Sequence, residues 1–115
     1  AIVAAAGNAN DLADQVYPAS YNGVLAVAAT DSTDSRAYFS NYGYSVDVTA
    51  PGVSIWSTVS GDSYAGDYWQ GTSMSTPIAA GVVALVMTRF PEWSGLQAAE
   101  QVRVTADNID ARNPS

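Results

Sequence analysis

The apolar segment 78–87 constrains the fold of this chain more than any other feature. Residues 73–90 are predicted to form one helix, and apolar side chains lie on nearly every side of it. A helix that is apolar all round is usually buried. Its uninterrupted apolar run is shorter than the roughly 20 residues needed to cross a bilayer. We therefore expect a central helix inside a globular core, with Gly81 allowing another element to pack closely against it.

Pro77 locates the start of this helix. Proline is destabilising in the middle of a helix, but it is tolerated near the first turn, where backbone N–H groups lack partners anyway. The helix is therefore expected to begin close to Ser73, with free N–H groups and the positive end of the helix dipole directed at its hydroxyl. This arrangement favours a developing oxyanion and suits a nucleophile. The simpler interpretation is that Ser73 is an N-cap, the commoner role of a serine before a helix.

Composition limits the class of protein. The chain has 115 residues, of which 48% are hydrophobic and 13% charged, which is typical of one small globular domain. It has no cysteine, so disulfides, thiolate nucleophiles and cysteine metal sites are excluded. The net charge of −7 disfavours nucleic acid and anionic membranes as partners. No signal peptide or transmembrane segment is visible in the sequence.

The remaining apolar segments predict a sheet. Residues 1–6 and 24–29 are typical of strands buried on both faces of a parallel sheet, and residues 46–49 alternate as a strand does. The predicted strands are separated by too many residues along the chain to be joined by hairpins throughout, and a buried helix lies between some of them. This order predicts an α/β fold with a largely parallel sheet.

A second helix is predicted after Pro91. Ser94 and Gln97 have the spacing of a capping box, in which each side chain binds the other residue's backbone N–H. We expect the helix to run from residue 95 to about residue 105. Its inward-facing residues are predicted to be Leu96, Ala99, Val102 and Val104.

Two segments resemble motifs of one enzyme family. Gly71-Thr72-Ser73-Met74-Ser75-Thr76-Pro77 is similar to the nucleophile motif of subtilisin-like serine proteases, and Ala4-Ala5-Ala6-Gly7-Asn8 is similar to their oxyanion-hole segment. The resemblance extends from Ile2 to about Asp110. It implies a doubly wound, largely parallel α/β sheet with a buried central helix that starts at Ser73. Residues 1–115 would then be the C-terminal part of a peptidase domain more than twice as long, truncated at both ends.

The resemblance also implies a chemistry. Ser73 Oγ would attack a peptide carbonyl, while Asn8 Nδ2 and the Ser73 N–H would hold the oxyanion. The substrate would be a polypeptide, the chemistry would require no cofactor, and the protein would be extracellular (secreted). In subtilisin-like proteases the loss of one oxyanion donor lowers turnover roughly 10²–10³-fold. Taken alone, Asn8 after a glycine is also a common turn residue.

The substrate contacts are carried over in the same way. Ala5, Ala6 and Gly7 would form one wall of the primary specificity pocket, and Val16 would lie at its floor. The branched Val16 side chain would make the pocket shallower, so a small-to-medium apolar residue before the scissile bond is expected. Two aromatic residues, Phe39 and Trp69, are assigned to the leaving-group side of the cleft. For Phe39, ordinary aromatic packing is an equally good interpretation.

The loop after Asn10 carries two further expectations from the family. The peptide bond between Tyr17 and Pro18 is expected to be cis. The backbone carbonyls of Ala19, Tyr21 and Val24 match a weak cation site of some family members, which implies a possible structural calcium ion.

The chain has no histidine, and this absence bears directly on function. A serine protease of the triad type needs an imidazole to take the proton from the serine, so this chain alone is predicted to be inactive. In one hypothesis it is the part of a serine endopeptidase that carries the nucleophile, and the triad Asp and His lie in the missing N-terminal part of the same domain. The alternative is a catalytically inactive subtilase-derived module that binds a peptide or a partner subunit.

Overall fold

A computed structural model of the chain describes residues 1–113. Its main sheet has three parallel strands in the order β1-β2-β3, which are Ile2–Ala5, Val24–Thr30 and Val48–Pro51. Ile2 pairs with Val24 and Val27 pairs with Val48. The predicted α/β class and its parallel strands are therefore confirmed.

The third strand begins two residues later than predicted because Asp47 forms a different kind of contact. The Asp47 carboxylate accepts a hydrogen bond from the Ala26 N–H at 2.8 Å, and the Asp47 N–H donates to the Ala26 carbonyl at 3.0 Å. The Asp47 carboxylate thus takes the place of a backbone carbonyl as the acceptor for the Ala26 N–H. The regular ladder starts at Val48, and Asp47 has a structural role.

The expectation that no hairpin occurs is wrong. Strands β4 (Ser57–Val59) and β5 (Ser63–Ala65) pair antiparallel across the loop 60–62. Each strand has only three residues, and most of them are exposed, so no run of apolar residues marks either strand in the sequence. Pairing between two such segments depends on the loop that joins them rather than on burial.

Helix α1 (Thr72–Arg89) crosses one face of the sheet, and helix α2 (Gly95–Thr105) packs beside it. The capping box at Ser94 and Gln97 is present, with the Ser94 N–H donating to Gln97 Oε1 at 2.8 Å. Both helices bury small residues against the sheet, so the elements approach closely. The core between them consists of Leu25, Val27, Val48, Ala50, Ala79, Val83, Ala98 and Ala99.

Residues 1–113 by themselves bury one face of α1. Its buried residues are Thr72, Ser75, Ala79 and Val83, which share one face of the helix, whereas Leu85 is 70% exposed. The sheet and α2 cover only that face. Within residues 1–113, no atom lies within 4 Å of a Cβ built on Gly81, so the expected close packing there is also absent. No helix among these residues has the length and apolar character needed to span a membrane.

Helix α2 also faces the core differently from the prediction. Leu96 and Val104 are 60% and 57% exposed, whereas Ala99 is buried and Val102 packs partly against the core. Ala98, which was not predicted to face inward, is fully buried. The small side chains of Ala98 and Ala99 allow the closest approach to α1, and this contact sets the rotation of α2. Leu96 and Val104 are turned away as a result.

Candidate active site

Ser73 is the second residue of α1 and is exposed to solvent. The N-cap is Gly71, at a φ of 153°, and this residue has no side chain with which to cap the helix. The interpretation of Ser73 as an N-cap is therefore wrong. The Ser73 N–H belongs to the first turn, whose N–H groups have no partner within the helix. The hydroxyl of Ser73 and this backbone donor thus lie at the positive end of α1.

Asn8 lies against the same helix end. Its Oδ1 accepts hydrogen bonds from the Thr72 N–H and from the Thr72 hydroxyl, both at 2.9 Å. The Thr72 hydroxyl in turn accepts from the Gly7 N–H at 3.2 Å. Because the Thr72 N–H can only donate, the atom facing it must be the amide oxygen. The amide nitrogen of Asn8 is therefore the end left free to donate, and it lies 3.4 Å from the position of a Cβ on Gly71.

The backbone around Asn8 is held by a buried residue that sequence reasoning missed. Asn41 is 3% exposed and hydrogen-bonds to residues on both sides of Asn8. Gly7 has a φ of 102°, and a Cβ there would lie 2.5 Å from Asn41 Nδ2. Gly7 therefore accommodates both its own backbone conformation and the Asn41 side chain. Asparagine is common in loops, so nothing in the sequence by itself distinguishes Asn41.

The residues assigned to the specificity pocket adjoin this loop. Ala5 is half-buried, and Cγ1 of Val16 lies 3.6 Å from the Cβ position of Gly7. Ala6 is fully buried in a cluster with Ala13 and Ala28. No atom of Ala6 is exposed at the surface of the described residues, and its N–H and carbonyl are bonded to Val27 and Asn41. The Tyr17–Pro18 bond is cis, as predicted.

The two aromatic residues lie in segments that are joined by a hydrogen bond. Phe39 is half-buried against Tyr38, with ring centroids 5.2 Å apart, and its carbonyl accepts from the Asn10 N–H at 2.9 Å. Trp69 is 45% exposed. Gln70 Nε2 donates to the Tyr38 hydroxyl at 2.8 Å and so connects the two segments. Phe39 takes part in aromatic packing, and its backbone contacts the loop that carries Asn8.

Gly52 packs against the start of α1. Its carbonyl accepts from the Gly71 N–H at 2.8 Å. A Cβ on Gly52 would clash with Ser75 Oγ and would lie 2.6 Å from the Ala29 Cβ and 2.9 Å from the Gly71 carbonyl oxygen. Two of these neighbours are backbone or β-carbon atoms, which cannot move aside by changing rotamer. Only glycine therefore fits between β3 and the helix start.

Replacement of Gly52 by alanine is expected to lower the free energy of unfolding by about 1–3 kcal/mol, the usual cost of overpacking. Thr49→Ala, at an exposed position on the same strand, is the control and should change stability by less than about 0.5 kcal/mol. Urea denaturation of the domain containing each variant measures both values. Equal effects of the two substitutions would show that the contact between Gly52 and the helix start is not tight.

The residues of the expected cation site share one polar surface depression of about 290 Å³. Ala19, Tyr21 and Val24 all line it, together with Asp47. The Tyr21 carbonyl already accepts from the Val24 N–H at 3.1 Å, but a carbonyl has a second lone pair. Carbonyl oxygens beside one carboxylate are the kind of hard donors that calcium takes. Within residues 1–113, no group of three or more His, Cys, Asp or Glu side chains could hold a metal ion.

A larger depression, about 580 Å³, lies elsewhere, between β3 and residues 103–113. Neither Ser73 nor Asn8 lines it. This depression is therefore not formed by the residues at the start of α1. Two carboxylates have shifted pKa values, and neither owes its shift to Ser73. The Thr33 hydroxyl lowers the pKa of Asp31 within a turn, and Arg103 lowers the pKa of Glu100 on α2.

The sequence model of the subtilase family matches residues 1–114. This chain belongs to the subtilase family. Among curated subtilase relatives, alkaline elastase YaB from Bacillus sp. (strain YaB) is 45% identical over 108 residues, which is 94% of this chain and 28% of that protein. Subtilisin Savinase from Lederbergia lenta is 43% identical over 112 residues, which is 97% of this chain and 40% of that protein.

The subtilase fold is found in solved structures as well. A cold-adapted subtilisin-like serine proteinase matches with a TM-score of 0.86 and 38% identity, over 91% of this chain and 38% of that one. A Pseudoalteromonas arctica protease matches with a TM-score of 0.83 and 37% identity. The chain thus spans less than half the length of these subtilases. The family predicted from the two motifs is confirmed.

Proposed function

We propose that this chain is the part of a serine endopeptidase domain that carries the nucleophile, Ser73, and the oxyanion donors. Membership of the subtilase family supports the reaction class. The observation that carries the site assignment is the pair of 2.9 Å hydrogen bonds from Thr72 to Asn8 Oδ1. These bonds hold the Asn8 amide beside the residue that precedes Ser73. They also direct the amide nitrogen away from Thr72.

In the proposed mechanism Ser73 Oγ adds to the carbonyl carbon of a peptide bond and loses its proton to a base. The carbonyl oxygen becomes an oxyanion, which accepts hydrogen bonds from Asn8 Nδ2 and the Ser73 N–H. Collapse of this intermediate breaks the C–N bond, and the base returns the proton to the leaving amine. Water then hydrolyses the acyl-enzyme. The chain has no histidine, so the base and its Asp partner belong to the rest of the domain.

The exposed side of α1 is proposed to contact that same remainder. Ile78, Val82 and Leu85 follow a spacing of four and three residues, which places them on one stripe of the helix, and they are 36%, 43% and 70% exposed. Contiguous apolar surface of this kind marks an interface. The proposed partner is the part of the subtilase domain that lies N-terminal to these residues.

A calcium ion is proposed as a structural component only. It would be held by the carbonyls of Ala19, Tyr21 and Val24, and no step of the reaction passes through it. Removing it is expected to lower thermal stability without changing the identity of the bond that is cleaved. The proposed substrate is a polypeptide with a small-to-medium apolar residue before the cleaved bond, and the proposed location is extracellular.

Labelling by an organophosphate tests the proposed function. The complete domain, expressed from its coding sequence, should be labelled at Ser73, because only an activated serine reacts. The 115-residue chain alone should not be labelled. The coding sequence should contain an Asp and then a His before Ala1. If it lacks them and the domain is not labelled, the inactive peptide-binding module is the correct function.

A further inference from the structure

Asn41 contacts the segment that carries Asn8 from both directions. Its Nδ2 donates to the Ala6 carbonyl at 2.9 Å, on the N-terminal side of Asn8. Its Oδ1 accepts from the Ala9 N–H at 2.9 Å and from the Asp11 N–H at 3.2 Å, on the C-terminal side. One planar amide thus binds three backbone groups of this loop.

The backbone of Asn41 adds a fourth contact. Its N–H donates to the Gly7 carbonyl at 2.9 Å, so the residue immediately before Asn8 is also bound. Asn41 is 3% exposed, and a buried amide with satisfied hydrogen bonds has one well-defined orientation. Asn8 itself is exposed and is held at its other end by Thr72. The Asn8 side chain therefore has two supports, one from the helix start and one through its backbone from Asn41.

We propose that Asn41 is a positioning residue for the oxyanion donor: it fixes the loop 6–11 so that Asn8 Nδ2 faces the developing oxyanion. This inference rests on the proposed role of Asn8. Asn41 does not touch the substrate in this assignment and acts only through Asn8. Because a displacement of about 1 Å in a catalytic group can cost roughly 100-fold in rate, loss of this support lowers turnover more than it lowers substrate binding.

A double-mutant cycle in the complete domain tests the inference. Asn8→Ala should lower kcat roughly 10²–10³-fold, the loss known for an oxyanion donor of subtilisin. Asn41→Ala should lower kcat roughly 10- to 100-fold with KM nearly unchanged. In the Asn8→Ala background, Asn41→Ala should lower kcat by less than about threefold, because the group that it positions is already absent.

Two further variants separate positioning from general stability. Asn41→Asp keeps the shape of the side chain and the two acceptor contacts, but it places a carboxylate oxygen where Nδ2 donates to the Ala6 carbonyl. It should therefore lower kcat at least as much as Asn41→Ala and show the same loss of additivity, measured at temperatures at which thermal unfolding shows the variant to be folded. Ser75→Ala is the control: Ser75 is also buried, but its hydroxyl makes no hydrogen bond to Asn41, to the loop 6–11 or to any other group among the described residues. Its effect on kcat should be small in both backgrounds.

The outcomes distinguish this inference from the proposed function. If Asn8→Ala leaves kcat unchanged, the oxyanion role of Asn8 is wrong, and the positioning role is wrong with it. If Asn8→Ala lowers kcat but the Asn41 substitutions lower it equally in both backgrounds, Asn41 supports only the fold. Thermal unfolding of each variant shows whether a loss of kcat accompanies a loss of the folded state.

Discussion

Replacing Ser73 by alanine in the complete domain is expected to remove almost all peptidase activity. The substitution deletes the atom that forms the covalent intermediate and leaves the oxyanion donors in place. In subtilisin the loss of the nucleophile lowers kcat by about 2 × 10⁶-fold, and we carry that measured figure over. Stability should change little, because Ser73 is exposed and makes no cap bond. Initial rates with a peptide substrate measure the effect.

Ser75 provides a matched control two residues further along the same helix. Its Oγ is fully buried and has no hydrogen-bond partner among the described residues. Ser75→Ala removes this unsatisfied hydroxyl, so kcat should stay within about twofold and stability should be equal or higher. A loss of activity in the Ser75 variant as large as in the Ser73 variant would contradict the assignment of Ser73 as the nucleophile.

Replacing Leu85 by asparagine is expected to be the most destabilising of the substitutions on the exposed side of α1. If the rest of the domain covers the stripe Ile78, Val82 and Leu85, the variant loses apolar burial and places an amide in an apolar contact. The free energy of unfolding of the complete domain should then fall by about 2–4 kcal/mol. Urea denaturation measures this change.

Thr88→Asn is the control for the helix itself. Thr88 is an exposed polar residue in the last turn of α1 that adds no apolar side chain to the stripe, and threonine and asparagine have similar helix propensities. This substitution should change the free energy of unfolding by less than about 0.5 kcal/mol. If Leu85→Asn costs no more than Thr88→Asn, the stripe faces water in the complete domain, and the proposed contact with the N-terminal part is wrong.

Several elements could be predicted because their causes are local. The start of α1 follows from Pro77, and the start of α2 follows from the capping box at Ser94 and Gln97. The parallel strands follow from continuous runs of small apolar residues, and β2 is buried as predicted, whereas in β1 only Ala4 is buried and Ile2 is exposed. The hairpin could not be predicted in this way, because its short, exposed strands carry no such pattern.

The faces of the two helices could not be predicted for a different reason. The nearly uniform apolar character of α1 gives no preferred side, so the sheet and α2 decide which residues are buried. In α2 the small residues Ala98 and Ala99 set the contact, and the larger Leu96 and Val104 remain exposed. In α2, therefore, small side-chain size rather than hydrophobicity decided which residues are buried at the contact.

By itself, the sequence determined the elements whose hydrogen bonds and caps form between neighbouring residues, and it determined the family through two short motifs. Only the tertiary structure decided that Asn8 meets Thr72 across 64 positions of the chain and that Asn41 reaches Ala6 across 35. Such contacts depend on how the strands and helices pack, because a side-chain amide has no preference for a distant partner until the fold brings the two together.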